Sequence, residues 1–349
     1  MHMADALLSP AVGGAMWSVA GGAIAYSSMK VKKELDERLV PLMGVLGAFI
    51  FAAQMINFTI PATGSSGHLG GGLLLAILLG PHAAFLTIAS VLVVQSLFFA
   101  DGGILALGCN IFNLGFFPAF ITYPLIYRNI AGGKPGRARL TGAAIIAAVA
   151  GLQMGAFAVV LETVASGISS LPFSAFVALM LPIHLAIGIV EGLVTASVVA
   201  FVAAVRPEMI TGAAGTDAPA NMPLRHVLLS FLVAALLTGG VVSRFASEKP
   251  DGLEWAIAGV TGAEEVAGAE TGLHGLLAAV QEKIAWLPDY TFREGGEAND
   301  DWPGLGHPAI PLETSGRLGT SVAGGVGAAI SLFLAFGIGL VLKRVRSQE

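Results

Sequence analysis

The 349-residue chain is short of charge: Asp, Glu, Lys and Arg together make up 12% of it, about half the share found in ordinary soluble domains. So little charge excludes a soluble globule. Cysteine is nearly absent as well. Cys109 is the single one, so no disulfide can form within the chain; set in an apolar run, its thiol reads as a small buried hydrophobe. No basic segment precedes the first apolar stretch, so a cleaved signal peptide is not expected and that stretch should stay in the membrane. There is no repeat of about 20–50 residues and no Walker A loop, because Gly133-Lys134 lacks both the upstream glycine and a following Ser or Thr. Any ATP hydrolysis must come from a partner. No nucleophile and base stand out at a common depth, which argues against a membrane enzyme, and no nucleic-acid partner is expected.

What the chain does have is apolar length. Hydrophobic residues make up 55% of it and glycine is plentiful. Apolar runs near 8–28, 40–59, 68–80, 82–100, 103–127, 139–162, 173–205, 226–245 and 320–342 predict an all-α polytopic membrane bundle of about nine segments. The run 68–80 is too short to cross ~30 Å at ~1.5 Å per residue and stops at Gly80-Pro81, where proline breaks the helix. Basic residues follow the first span (Lys30, Lys32, Lys33, Arg38) and the fifth (Arg128, Lys134, Arg137, Arg139). Others flank the linker 206–225 (Arg206, Arg225) and end the chain (Lys343, Arg344, Arg346). Placed in the cytoplasm, they thread nine spans with the N-terminus outside and the C-terminus inside. The multi-pass chain is then expected in the inner (cytoplasmic) cell membrane. Three parts follow: a seven-helix module over 1–205, a cytoplasmic linker over 206–225 and a two-span module over 226–349. The last contains an extracellular loop domain, 246–319, rich in Asp and Glu. Such a loop raises the local cation concentration, or is simply a solvated segment; His274 and His307 within it read as exposed, with transient metal capture as the alternative.

The same topology gathers metal-binding residue types on the outer face. The amine of Met1, the backbone nitrogen of His2 and the His2 ring nitrogen can close fused five- and six-membered rings around one ion, a planar nitrogen set suited to Ni(II) or Cu(II). His68, in Gly64-Ser65-Ser66-Gly67-His68-Leu69-Gly70-Gly71-Gly72, supplies a fourth nitrogen, or else merely begins a helix with its ring in water. Asp5 reads as N-cap of the first helix and as a carboxylate able to steady the chelate. Gln54 and Asn57, one turn apart at the outer end of the second span, and Ser66 beside His68 are further candidates for that supporting role. Gln95, Asp101, Asn110 and Asn113 add polarity around the fourth and fifth spans, mostly for helix packing. His184 and Glu191, seven residues apart, share one face of the seventh span as a functional pair or as packing partners. His82 reads as a helix-start residue.

These residues also carry a family pattern. The opening Met1-His2-Met3-Ala4-Asp5-Ala6-Leu7-Leu8-Ser9-Pro10 resembles the start of the substrate-binding M components of nickel and cobalt energy-coupling-factor transporters. Phe51-Ala52-Ala53-Gln54-Met55-Ile56-Asn57-Phe58, Gly64-Ser65-Ser66-Gly67-His68 and Leu107-Gly108-Cys109-Asn110-Ile111-Phe112-Asn113 are similar to them too, over roughly residues 1–205. Pro250-Asp251-Gly252-Leu253-Glu254 looks like the short motif of the family's N component, here fused. Where the family has a proline-glycine-phenylalanine stretch this chain has Ala4, Ala6 and Leu7, which alters packing beside the site and leaves the ligand set in place. The resemblance implies a metal-binding subunit ligating Ni(II) or Co(II) as transported substrate through Met1, His2 and His68, without an organic cofactor. It also implies a transmembrane coupling subunit and two cytosolic ATPases as partners; Ala11 and Ala15 form a small-residue pair that suits docking of the coupling subunit. The competing reading is a stand-alone secondary metal permease driven by an ion gradient, with His184 and Glu191 as its proton-coupled pair.

Overall fold

The computed structural model describes residues 2–348 apart from 35, 37, 133–135, 211–221, 267, 270 and 293–311; of 312–317 it describes the backbone alone. Helices dominate. In chain order they are α1 (Pro10–Glu34), α2 (Leu39–Gln54), α3 (Gly72–Leu79), α4 (Pro81–Phe99), α5 (Leu107–Ala131), α6 (Arg137–Ser166), α7 (Phe173–Val205), α8 (Leu224–Gly240), α9 (Gly252–Thr261), α10 (Gly272–Ile284) and α11 (Leu312–Arg346). A two-residue antiparallel pair, β1 (Phe58–Thr59) with β2 (Ser66–Gly67), sits between α2 and α3.

Each of the nine apolar runs carries helix, but among the described residues six helices are long and apolar enough to cross a membrane: α4, α5, α6, α7, α8 with the turn after it, and α11. The helix α2 is apolar but shorter. Their outward faces are oily: Leu125, Phe157, Leu193, Leu237 and Phe333 are exposed, as lipid-facing positions are.

Two details depart from the sequence reading. The short helix begins at Gly72, four residues after His68, because Gly71 sits at φ 78° and leaves helical geometry. That left-handed conformation suits glycine. The break at Gly80-Pro81 is as expected, with Gly80 at φ 79° and Pro81 opening α4. Gln54 ends α2 while Asn57 lies beyond it, so the two do not share a helical turn.

The second module does not stand apart. Both α8 and α11 pack on α2, where Gly44 and Gly47 admit Phe336 and Ala335 and the ring of Phe51 lies over Gly327. Small residues allow this close approach between membrane helices. The basic residues Lys32 and Lys33 close α1, and Lys343, Arg344 and Arg346 close α11. Both clusters lie at the end of the bundle remote from His2 and His68.

Candidate metal centre

The site begins with the N-terminal segment, which is threaded into the bundle. Met3 is fully buried, and a buried main chain needs hydrogen-bond partners. Asn110 supplies them: its Oδ1 accepts from the Met3 nitrogen at 2.8 Å and its Nδ2 donates to the Met3 carbonyl at 3.2 Å. The Gly103 nitrogen donates to that carbonyl as well. This clamp fixes the residue before it, His2. The amine of Met1 lies outside the described residues.

The His2 ring stacks on the ring of His68, centroids 5.0 Å apart and planes within 7°. His2 Nδ1 lies 3.1 Å from Asp101 Oδ1, and the Tyr290 hydroxyl donates to the other carboxylate oxygen. A carboxylate only accepts, so Nδ1 carries a proton in this contact. The Nε2 of His2 is buried with no hydrogen-bond partner among the described residues. Burial alone would raise the Asp101 carboxyl, yet the neighbouring His2 imidazole and the Tyr290 hydroxyl hold it well below the usual carboxylate range. Tyr290 in turn is pushed well above its ordinary value, by burial first and then by Asp101, so it remains a donor.

His68 repeats the pattern. Its Nδ1 donates to the Leu69 carbonyl at 3.1 Å, which fixes the proton on that nitrogen. Burial, more than the neighbouring charges, lowers this imidazole to about 3, so it is neutral at physiological pH, the form that binds metals. Its loop is braced from below. Glu191, buried in α7, accepts from the Gly70 and Gly71 nitrogens at 2.7 and 3.1 Å, and Gln54 donates to the Gly70 carbonyl at 2.9 Å while accepting from Gln95.

The motif 250–254 lies directly above. Asp251 caps α9, accepting from the Leu253 and Glu254 nitrogens, and Glu254 reaches back to the Asp251 nitrogen at 2.7 Å. This is a complete capping box. The second oxygen of Asp251 lies 3.9 Å from His68 Nε2. Gly252 is glycine because a Cβ there would come within 3.0 Å of His184 Cε1 and Ile183. The Pro250 carbonyl accepts from the Ser66 nitrogen at 2.8 Å, and Ser66 Oγ donates to the Lys249 carbonyl.

The remaining sequence candidates separate accordingly. Asp5 does not cap α1; its carboxylate accepts from the Ala106 nitrogen at 2.9 Å, at the start of α5, since Ala106 is left without a cap of its own. Ser66 serves the second module's loop, and Asn57 lines a cavity above the histidines. His184 and Glu191 share the buried face of α7 but not a bond: His184 Nδ1 donates to the Met180 carbonyl. His274 is not a free ring, for its Nε2 pairs with the Leu8 carbonyl at 2.8 Å, while His307 lies outside the described residues. Cys109 is buried as expected, and His82 opens α4 with its ring against Tyr26 and Phe120. Four participants escaped the sequence reading: Asp101 as partner of His2, Asn110 as the clamp, Tyr290 behind Asp101, and Asp251. Only the last left a local signal, the Asp-x-x-Glu spacing of a capping box.

Among the described residues no three His, Cys, Asp or Glu side chains converge as a cluster able to hold an ion. The comparisons bear on the nature of the site. Residues 2–209 match the cobalt uptake substrate-specific transmembrane region, and residues 225–344 match the PDGLE domain. The chain belongs to this family. It is a nickel/cobalt transport membrane protein in which a substrate-specific M component is fused to an N component. The "Putative fused nickel transport protein NikMN" of Archaeoglobus fulgidus is 34% identical over 97% of this chain and 98% of its own length. The fused nickel transport protein NikMN of Rhodobacter capsulatus is 33% identical over 83% of this chain and 88% of its own. A crystal structure of a transition metal transporter shares the fold, with 31% identity and a TM-score of 0.52 over 59% of this chain and 93% of that one.

Proposed function

We propose that the chain is the substrate-binding subunit of an ATP-driven, energy-coupling-factor importer that captures Ni(II) or Co(II) from outside. The ligands are the Met1 amine, the His2 amide and imidazole, and His68. The observation that carries the reading is the buried, stacked pair of imidazoles, His2 with Nδ1 on Asp101 and His68 with Nδ1 on the Leu69 carbonyl. A metal–imidazole bond lies in the ring plane, and two parallel stacked rings share no such plane, so loading must turn one of them. His2 is the ring that moves. Turning it away from Asp101 brings Nδ1 toward its own amide and closes the fused chelate, while His68 stays pinned by Leu69. Loss of the amide proton makes affinity fall with pH, and the planar nitrogen set favours nickel over cobalt.

The basic ends of α1 and α11 face the cytoplasm in this reading, which puts the histidines outside. About nine segments then enter the membrane, with α3 as a half-depth helix. Energy comes from two cytosolic ATPases through a transmembrane coupling subunit, with the exposed Ala11 and Ala15 of α1 as its docking positions. The gradient-driven permease loses its proton pair, because Glu191 is committed to the Gly70–Gly71 amides and His184 to Met180. Titration calorimetry tests the site: His68→Ala is expected to weaken nickel binding by about a hundredfold, roughly 2.7 kcal/mol. Unchanged affinity would remove His68 from the ligand set.

A further inference from the structure

Two cavities flank His2. The larger, of about 540 Å³, opens between the two modules and is lined by both His2 and His68. The smaller, of about 220 Å³, runs along the N-terminal segment on the other side of His2. Asp101, Glu254 and Asp289 line both; Glu248 and Asp251 add to the larger. Arg244 is the single Lys or Arg among the described residues lining the larger cavity, and its Nε donates to Ser321; no Lys or Arg lines the smaller.

Carboxylates lining one cavity give it a negative potential, which a dication relieves. A second feature says what they serve. The His2 imidazole is 6% exposed, lines both cavities, and its Nε2 has no hydrogen-bond partner among the described residues. The cleft thus joins a carboxylate-lined passage to an unfilled nitrogen donor. Its size fits as well, since six waters at ~30 Å³ each occupy roughly 180 Å³, and the larger cavity, of about 540 Å³, has room for an ion with its water shell.

Of the five carboxylates in the larger cavity, only Asp101 belongs to the first module. We propose that the cleft between the modules is the way in for the hydrated Ni(II) or Co(II) ion, and that Glu248, Asp251, Glu254 and Asp289 of the second module draw it onto His2 and His68. The fused module is thereby a steering surface for the centre beneath it, with Asp251 its innermost carboxylate. The inference rests on the histidine pair being the metal centre.

Stopped-flow mixing of Ni(II) with the full chain, in nanodiscs of zwitterionic lipid and with its native N-terminus, tests it. The double variant Glu248→Gln/Asp289→Asn removes two charges without touching either histidine, and Asn tolerates the φ of 49° at position 289. Association is expected to slow on the order of tenfold at low salt and to depend less on ionic strength, with the dissociation rate unchanged. Glu34→Gln/Asp36→Asn, at the opposite end of the bundle, controls for net charge. Association of the cleft variant at the wild-type rate, or equal slowing in both variants, overturns the proposal. His68→Ala separates the two readings: if it weakens binding about a hundredfold or more while the cleft variant associates normally, the centre stands and the steering role falls. If it binds as wild type does, the centre is wrong and the proposal falls with it.

Discussion

At the scale of single residues, the centre depends on groups whose role is to hold others still. Asn110 holds the Met3 main chain by two hydrogen bonds inside the bundle. Asn110→Ala leaves the buried Met3 N–H without its acceptor, while the carbonyl keeps Gly103, and is expected to cost about 1–3 kcal/mol, read as a lower thermal midpoint together with weaker nickel binding. Asp101→Asn weakens the hold on His2 Nδ1 that must be broken for the ring to turn, so nickel should bind at least as tightly as in the wild type by calorimetry; a loss of roughly 10–100-fold, the usual effect of losing a carboxylate behind a ligating histidine, would show that the ring ligates without turning. The pH dependence has a definite sign. His68 sits near 3 in the folded chain and near 6.5 when unfolded, so between those values the unfolded chain binds the extra proton. The stability linked to His68 is therefore complete above about pH 6.5 and is lost as pH falls toward 3. Ring resonances of His68 should not titrate between pH 5 and 8 by NMR; a midpoint near 6.5 would contradict its burial.

At the scale of elements, α9 and its capping box place Asp251 over His68. One oxygen of Asp251 caps the helix and the other faces the imidazole, so two substitutions separate cap from charge. Asp251→Ala should cost about 0.5–2 kcal/mol through the lost cap, whereas Asp251→Asn, itself a good capping residue, should retain most of that stability. Equal destabilisation of both variants in thermal melts would show that the charge, and not the cap, matters to the fold. The helical elements and the break at Gly80-Pro81 were legible in the sequence, because long apolar runs and a Gly-Pro step act locally. The start of α3 was not: it is set by Gly71 and by the Glu191 carboxylate, 120 positions away in the chain. Asp5 was misplaced for the same reason, its carboxylate serving a helix that begins a hundred residues later.

At the scale of the whole molecule, the two modules share one core. α8 and α11 lie on α2, while the loop around Asp251 is bonded to the hairpin that carries His68. The pairing of His2 with His68 was readable because charge placement alone brought them to one face, and the two rings do stack. The roles of Asp101, Tyr290 and Asn110 were not, since each acts on a residue about a hundred or more positions away in the chain. Orientation is open to a labelling test made simpler by the buried Cys109. A cysteine at the exposed Glu248 should react with an impermeant maleimide on intact cells, and one at the exposed Ser347 only after permeabilisation; the reverse pattern would invert the topology. The central claim is that the extreme N-terminus is itself a ligand, and one comparison reaches it directly. Nickel titration calorimetry would be run on the chain with its native free N-terminus beside a version bearing a long N-terminal extension. A single added residue is unsuitable, because a new amine followed by Met-His is itself a good chelator. One tightly bound ion is expected in the native form and none in the extended one; equal binding by both would place the metal elsewhere.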